Sequence, residues 1–478
     1  MAKDVVVLGG GVGGLSAAIY ARLAGHDVCL LEGNDHVGGK AAGIEVGGYR
    51  LDPGPSIIIL TRIYEQLFRD AGRRMEDYLS FQRLEPISRV YFGQDAPIDL
   101  PANRDECERL VDDISPDDGK NFREIMGKLD KVSPHIDRSI FARPFDAGLQ
   151  LVNLDLLSMA RYFNVQASYK QLIDGWFQSP LLRAFFYGFP SYGGQSYESK
   201  APGALLIPYL MIQEGVYYPV GGVSAIPKAL EKLARELGVE IRTGCKVTGL
   251  EVSGKRVEAV ELNDGSKVKA DAFISGIDRL TTKAWLSAVS DVQPSYSYFT
   301  LHWGIRRKVE GVKHHTLLVP KDFEKGFERL YKERRFPNPP IVYLNETTEL
   351  DPGAAPEGCS NLFAVVTSPA IEKGFDWETE TAVCRTEVLR VMADAGIEIQ
   401  PDEIDFERVQ NPPYFAQAHG NYKGSLYGPD EAHRLFGMLP LRNYDEKFRN
   451  LFYCGGSVQP GAGLPMVVLS GKFAAGKL

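Results

Sequence analysis

The stretch Val5–Lys40 reads VVVLGGGVGGLSAAIYARLAGHDVCLLEGNDHVGGK, and the order of residue types in it decides the fold. Val5-Val6-Val7-Leu8 is an apolar run of strand length. It meets Gly9, Gly11 and Gly14 in GxGxxG spacing, with Val12 and Gly13 at the first turn of the helical pattern that follows. A second apolar run, Val28-Cys29-Leu30-Leu31, ends in Glu32, 18 residues after Gly14. Strand, tight turn, helix, strand and acid together make a Rossmann-type dinucleotide unit. A side chain at Gly9 would obstruct the turn, Gly11 lets backbone approach a pyrophosphate, and Gly14 lets the helix pack on the strand. The helix N-terminus offers free N–H groups and the positive end of a dipole to the phosphates. Glu32 can accept hydrogen bonds from both hydroxyls of the adenosine ribose.

Moving outward, Glu32 is followed by five residues and then Gly38-Gly39-Lys40, and later by Asp52-Pro53-Gly54-Pro55. This E-x5-GGK continuation resembles the FAD-binding motif of the amine oxidase and phytoene desaturase superfamily. FAD is long, and glycines let the extended chain pass close to its phosphates and ribityl chain. Lys40 can neutralise phosphate charge, as a surface lysine can also simply be solvated. The resemblance implies that Gly38, Gly39, Lys40, Gly54 and Pro55 belong to the cofactor site. There is one GxGxxG, no second Rossmann unit for NAD(P)H and no CxxxxC pair, which disfavours the pyridine-nucleotide disulfide reductases.

The chain of 478 residues is long enough for more than one domain. It is 44% hydrophobic and 24% charged, a globular composition. Its net charge of −8 argues against a nucleic-acid partner. The six cysteines (Cys29, Cys107, Cys245, Cys359, Cys384, Cys454) form no CxxC pair, which argues against a zinc site or a disulfide scaffold and fits a reducing cytosol. No metal site is expected. The N-terminus lacks signal-peptide character, and no apolar run reaches transmembrane length.

Two further blocks extend the resemblance. Tyr217–Gly276, YYPVGGVSAIPKALEKLARELGVEIRTGCKVTGLEVSGKRVEAVELNDGSKVKADAFISG, holds a helix over 224–237 and strands over 239–242, 246–252, 257–262 and 272–275. It is similar to the central FAD block of bacterial-type phytoene desaturases. Leu451–Ala475, LFYCGGSVQPGAGLPMVVLSGKFAA, resembles their C-terminal signature. The resemblance implies that Val247 contacts the adenine through its backbone, that Gly276 closes the central cofactor block, and that Gly455 and Gly456 lie along the pyrophosphate and ribityl chain. Pro465 suits the first turn of a helix after Gly463, leaving Met466 and Val467 with free N–H groups. In the family that helix end faces the N1–C2=O edge of the flavin and favours its reduced, anionic form.

The substrate region carries less information. Leu149, Val152, Leu156, Met159 and Phe163 recur at helical spacing. Apolar residues crowd Phe177–Phe189 and Ala204–Ile212. Such residues build a domain core, and the sharper alternative is a tunnel for a polyene that has no polar handle. Over 321–335, Phe323, Phe327, Leu330 and Tyr331 form an apolar stripe flanked by Lys and Arg. That pattern suits an anionic membrane surface or, since Asp322, Glu324, Glu328 and Glu333 dilute the charge, a face packed on protein. Ser/His/Asp sets and metal-ligand spacings are absent. In AQAHGNYKGSLYG (Ala416–Gly428), His419 is the residue to name as proton acceptor, because an unperturbed imidazole titrates near neutrality.

The reading is an α/β chain: a Rossmann-type, glutathione-reductase-like FAD-binding domain from 1–75, 215–290 and 446–478, and a discontinuous mixed α+β substrate domain from 76–214 and 291–445. The resemblance implies an FAD-dependent CH–CH oxidoreductase of carotenoid biosynthesis that dehydrogenates an apolar polyene or other isoprenoid, with hydride passing to flavin N5. Oxygen or a quinone would take the electrons. The expected setting is cytoplasmic, with peripheral contact to the cytoplasmic membrane face. A carotenoid isomerase or polyene saturase of the same fold is the first alternative. A flavin amine oxidase is the second, disfavoured because Ser457–Gly463 offers no aromatic cage. A non-catalytic FAD protein like the Rab escort group is the third.

Overall fold

The computed structural model describes residues 1–54, 56–144, 162, 164, 166–286, 292–430 and 441–478. Three segments far apart in sequence build one parallel sheet. Its order is Leu451–Tyr453, Ala272–Ser275, Asp4–Leu8, Asp27–Leu31, Glu240–Arg242. The register pairs Val7 with Ile274 on one side and Leu30 on the other, and Ile274 with Phe452.

The strands read as unbroken apolar runs because both faces are buried. Val5, Val7, Leu30 and Ile274 face the helices Val12–Leu23, Ala225–Glu236 and Leu464–Ala475. Val6, Leu8, Leu31, Phe273 and Tyr453 join a second cluster with Val247, Val257, Val260 and Leu262. Those residues belong to the antiparallel meander Val247–Ser253, Arg256–Leu262, Lys267–Lys269. The first and last helices lie unusually close. A Cβ on Gly471 would stand 2.7 Å from the Gly13 carbonyl oxygen, and Ser16 Oγ donates to the Val468 carbonyl at 2.7 Å.

The second sheet has seven strands in the order Ile404–Gln410, Ser297–Ile305, Ser360–Ser368, Val342–Glu346, His315–Val319, Ser88–Phe92, Ile98–Leu100. Only the pairing of His315–Val319 with Ser88–Phe92 is parallel. Strand alternation gives its faces different tasks. Phe299, Leu301, Trp303 and Ile305 pack with Cys384, Val388, Val391 and Met392 of the helix Trp377–Asp394. Tyr298 and Thr300 face the other way, into the large cavity described below.

The apolar stripe over 321–335 packs on protein. Phe323, Phe327 and Leu330 of the helix Phe323–Tyr331 are buried, and Phe327 packs against Tyr197 with ring centroids 5.2 Å apart. The charged residues around the stripe are the solvated rim of a helix docked on the core. Among the described residues no helix is long and apolar enough to cross a membrane, and no His/Cys/Asp/Glu group is arranged to hold a metal. The helical spacing of Leu149, Val152, Leu156, Met159 and Phe163 lies outside the described residues.

Candidate active site

The glycine turn after the first strand is tied to the second strand and to the second glycine pair. Gly10 N–H donates to Glu32 Oε2 at 2.6 Å, and Gly38 N–H donates to the Gly10 carbonyl at 2.8 Å. Gly14 is forced by sterics: a Cβ there would lie 1.9 Å from the Gly9 carbonyl oxygen. Gly39 has a φ of +56°, and its Cβ would press on Gly11 Cα at 3.2 Å. The Gly38-Gly39 pair therefore serves the packing of the turn itself as well as the approach of a ligand. The C-terminal block closes on the same point, with Gly455 N 3.0 Å from where a Gly13 Cβ would sit.

These segments line one cavity of about 1480 Å³. Small-molecule sites usually occupy roughly 300–1,000 Å³, so this one has room for a dinucleotide and a second molecule. Gly9 and Gly11 line it from the glycine turn and Val12 and Gly13 from the start of the first helix, with Glu32, Gly38, Gly39, Lys40 and Gly54 beside them. Val247, Gly276 and Gly455-Gly456 line it from the middle and end of the chain, followed by Gly463, Pro465, Met466 and Val467. Gly14 lies behind the turn instead of on the wall. Pro55 is outside the described residues.

The donor chemistry fits FAD. Gly11 and Gly463 precede the first and last helices without a side-chain cap, so two helix N-termini open on the cavity uncapped. A Cβ on Gly11 would meet nothing within 4 Å, which leaves space over the first of them. Glu32 accepts from Gly10 N–H, from Asn34 N–H at 2.9 Å and from the Asn34 amide at 2.8 Å, and its carboxylate still has acceptor capacity for a ribose. One expectation is corrected. Val467 N–H is not free but donates to the Gly463 carbonyl at 2.9 Å, closing the first helical turn. Met466, in the same first turn, also lines the cavity.

Lys40 opens onto the cavity but is otherwise walled by protein. Its Nζ donates to Asn421 Oδ1 at 3.3 Å. Burial pushes its pKa down, and the nearby Asp278 carboxylate opposes the shift. Asp278 caps the helix Arg279–Trp285 through Leu280 N–H at 2.9 Å, and burial raises its pKa. His419 lines the same region, at the end of the helix Pro412–His419. The premise that singled it out fails: burial, with Lys40, Arg408 and His36 adding to it, pushes its pKa down to about 3. It is a neutral ring of low basicity at neutral pH.

Beyond the glycine-rich end the cavity has two unlike walls. One is apolar, made by Ile57, Ile59, Ile140, Phe141, Leu206, Ile207 and Leu210. On the helix Leu206–Gln213 the lining positions 206, 207 and 210 share one face, while Tyr209, Met211 and Ile212 are buried core. Of the aromatic crowd at 177–189 only Phe189 reaches the cavity; Phe177 and Phe186 stack on each other with centroids 4.9 Å apart. The other wall is the inner face of the seven-stranded sheet, with Tyr298, Thr300, Tyr343, Phe363, Arg408 and Gln410. Sequence reading missed these residues, although the period-two alternation of Ser297–Ile305 carries the signal.

A three-layered dinucleotide domain, two uncapped helix ends and a long second compartment define a flavin-dependent oxidoreductase. Residues 12–478 match the model of the flavin containing amine oxidoreductase family, and the chain belongs to that family. It is an FAD-dependent enzyme. It is 30% identical over 487 residues to a 4,4'-diaponeurosporene oxygenase of Staphylococcus haemolyticus, covering 100% of this chain and 97% of the relative. The similarly named protein of Staphylococcus aureus (strain USA300) is 30% identical over 490 residues, with 100% and 98% covered. Among solved structures, an oxidoreductase from Methanosarcina mazei superposes with a TM-score of 0.65 at 17% identity, covering 98% of each chain. Wild-type putrescine oxidase bound to putrescine superposes at 0.61 with 14% identity, covering 100% of this chain and 98% of the other. At these identities the two structures speak for the fold alone.

Proposed function

We propose that this chain oxidises a long apolar polyene of carotenoid type, removing a hydride and a proton across a carbon–carbon single bond. The observation that carries the reading is the continuity of the glycine-lined cofactor end with the apolar wall of Ile57, Ile59, Leu206, Ile207 and Leu210 in one cavity. The names of the full-length relatives point to the same substrate class. We assign 1–75, 215–290 and 446–478 to the cofactor domain, with the substrate compartment built from 76–214 and 291–445 and closed from the cofactor side by Ile57 and Ile59. The uncapped end of the first helix holds the pyrophosphate, Glu32 holds the adenosine ribose, Val247 meets the adenine, and Met466 N–H faces the flavin. Bound FAD supplies the hydride acceptor. The apolar wall orients the chain and excludes water, so binding geometry does most of the work. An allylic cation is a strong acid, and its proton needs no strong base such as a titrating histidine. The enzyme draws its substrate from lipid at the cytoplasmic membrane face, and oxygen or a quinone takes the electrons.

A second reading, oxygenation at a chain end, is favoured by the word oxygenase in the relatives' names. One experiment separates the two. FAD-loaded protein is incubated with liposomes carrying a linear polyene, and the product is analysed by mass and absorbance. Loss of two hydrogens per step with absorbance moving to longer wavelength supports dehydrogenation. Gain of oxygen supports the second reading. Turnover of amines alone defeats both.

A further inference from the structure

The sheet wall of the cavity is more polar than a pure hydrocarbon needs. Cross-strand register places its residues in two rows. One runs Gln410, Thr300, Val365, Tyr343, Leu317, and the next runs Arg408, His302, Phe363, Asn345, His315. Neighbours within a row have Cβ atoms roughly 5 Å apart. Arg408 and Gln410 therefore form a corner of hydrogen-bond donors beside Thr300, whose hydroxyl donates to the Gln410 carbonyl at 3.3 Å, and all three line the cavity.

Arg408 is held but not neutralised. Its Nη2 donates to Tyr414 Oη at 3.1 Å, and its guanidinium lies 5.5 Å from the centre of the Tyr414 ring. Among the described residues no carboxylate is paired with it. The next residue in its row, His302, is fully buried and stacked on Phe363 at 4.5 Å, and its Nδ1 has no partner. Burial and the Arg408 charge keep that ring neutral, so it brings no second cation to the corner. A guanidinium has five N–H donors in a fixed fork, suited to carbonyl or carboxylate oxygens.

We propose that this corner is an end-group site, in which Arg408, assisted by Gln410, receives an acceptor oxygen at one end of the polyene. The substrate is then a polyene with a terminal carbonyl or carboxylate, lying along the apolar wall with its oxygen on the sheet. A pure hydrocarbon would cover the remaining N–H groups of Arg408 and Gln410 and offer them no acceptor, which is costly in a desolvated site. This proposal rests on the polyene reading above.

The test compares a linear polyene with its terminal aldehyde of equal carbon number, each titrated into FAD-loaded protein in detergent, with quenching of protein fluorescence as the readout. The aldehyde is expected to bind roughly tenfold or more tightly than the hydrocarbon. Arg408→Met should abolish that preference with flavin content unchanged, and Gln410→Leu should narrow it. Equal affinities in the unmodified protein, or tighter binding of the hydrocarbon, would overturn the proposal and leave the polyene reading standing. A preference that survives in a folded Arg408→Met variant also overturns it. Loss of flavin from that variant would assign the guanidinium to the cofactor instead. If neither polyene binds, both the proposal and the polyene reading fall.

Discussion

Glu32 Oε2 accepts the backbone N–H of Gly10 at 2.6 Å, so the acid at the end of the second strand also pins the glycine turn at the end of the first. Its other oxygen takes Asn34 N–H at 2.9 Å. On the proposed function, cofactor recognition and turn geometry share one buried carboxylate. Glu32→Ala removes both, leaving two backbone donors without their acceptor. Hydrogen bonds to charged groups contribute about 1.5–3 kcal/mol, so FAD affinity should fall roughly ten- to a hundredfold. Flavin absorbance retained after gel filtration measures it. Glu32→Gln, which keeps an acceptor oxygen, should lose less.

Gly14 offers a steric counterpart. A methyl group there would lie 1.9 Å from the Gly9 carbonyl oxygen, so the first helix has to move off the turn. Gly14→Ala should cost about 3 kcal/mol in a denaturant melt and release FAD. Gly127 is the control. It lies inside the helix Pro116–Ser139 with open space where its Cβ would go, and Gly127→Ala should stabilise by about 0.5–1 kcal/mol.

The contrast between these glycines and the sheet wall explains what the sequence could reveal. Gly10, Gly14, Glu32 and Gly38-Gly39 are constrained by contacts within 40 residues of each other, and that spacing is visible in the chain. The strands Ala272–Ser275 and Leu451–Tyr453 are legible as short apolar runs because both faces of the parallel sheet are buried. Arg408 and Gln410 become site residues only when the strand Ile404–Gln410 pairs with Ser297–Ile305, more than 100 residues earlier in the chain. Nothing local to Arg408 announces that pairing. The low pKa of His419 has a related origin: it is set by burial and by groups brought from residues 36, 40 and 408, which its own loop does not contain.

That shift makes a kinetic prediction. With a pKa near 3, His419 stays neutral throughout the physiological range. His419→Phe should change the rate by less than the roughly hundredfold effect of losing a general base. The pH profile of kcat/KM should keep its shape in the variant, and loss of a limb near pH 6.5 would restore His419 as proton acceptor.

Two further histidines link acidity to stability. Burial holds His302 at about 3 and His314 at about 4, whereas an unfolded histidine titrates near 6.5. Above pH 6.5 both states are neutral and neither residue makes stability depend on pH. Below it the unfolded chain takes up protons that the folded chain refuses. Each histidine should therefore withdraw about 1.4 kcal/mol per pH unit until its folded pKa is reached. Buried Asp52 and Asp278, whose pKa values are raised, act in the opposite sense at the acid end. A difference experiment isolates the histidine term: His302→Phe keeps the stack on Phe363 and removes one titrating group. Between pH 6 and 4 its stability, measured by denaturant melts, should fall less steeply than that of the unmodified chain by about 1.4 kcal/mol per pH unit.

The two compartments of the cavity should be separable by mutation. Ile207 and Leu210 line the apolar wall from one face of the helix Leu206–Gln213, far in sequence from every glycine of the cofactor end. Ile207 is only half-buried, so a larger side chain there can project into the cavity without displacing core neighbours. Ile207→Trp should leave flavin content and melting temperature near those of the unmodified protein while abolishing polyene binding in the fluorescence titration. Ile207→Ala should bind the polyene more weakly by the loss of apolar contact, worth about 25 cal/mol per Å² of surface no longer covered. If the tryptophan variant turned over polyene at the normal rate, the substrate would have to enter along the sheet wall alone, past Tyr343 and Thr300.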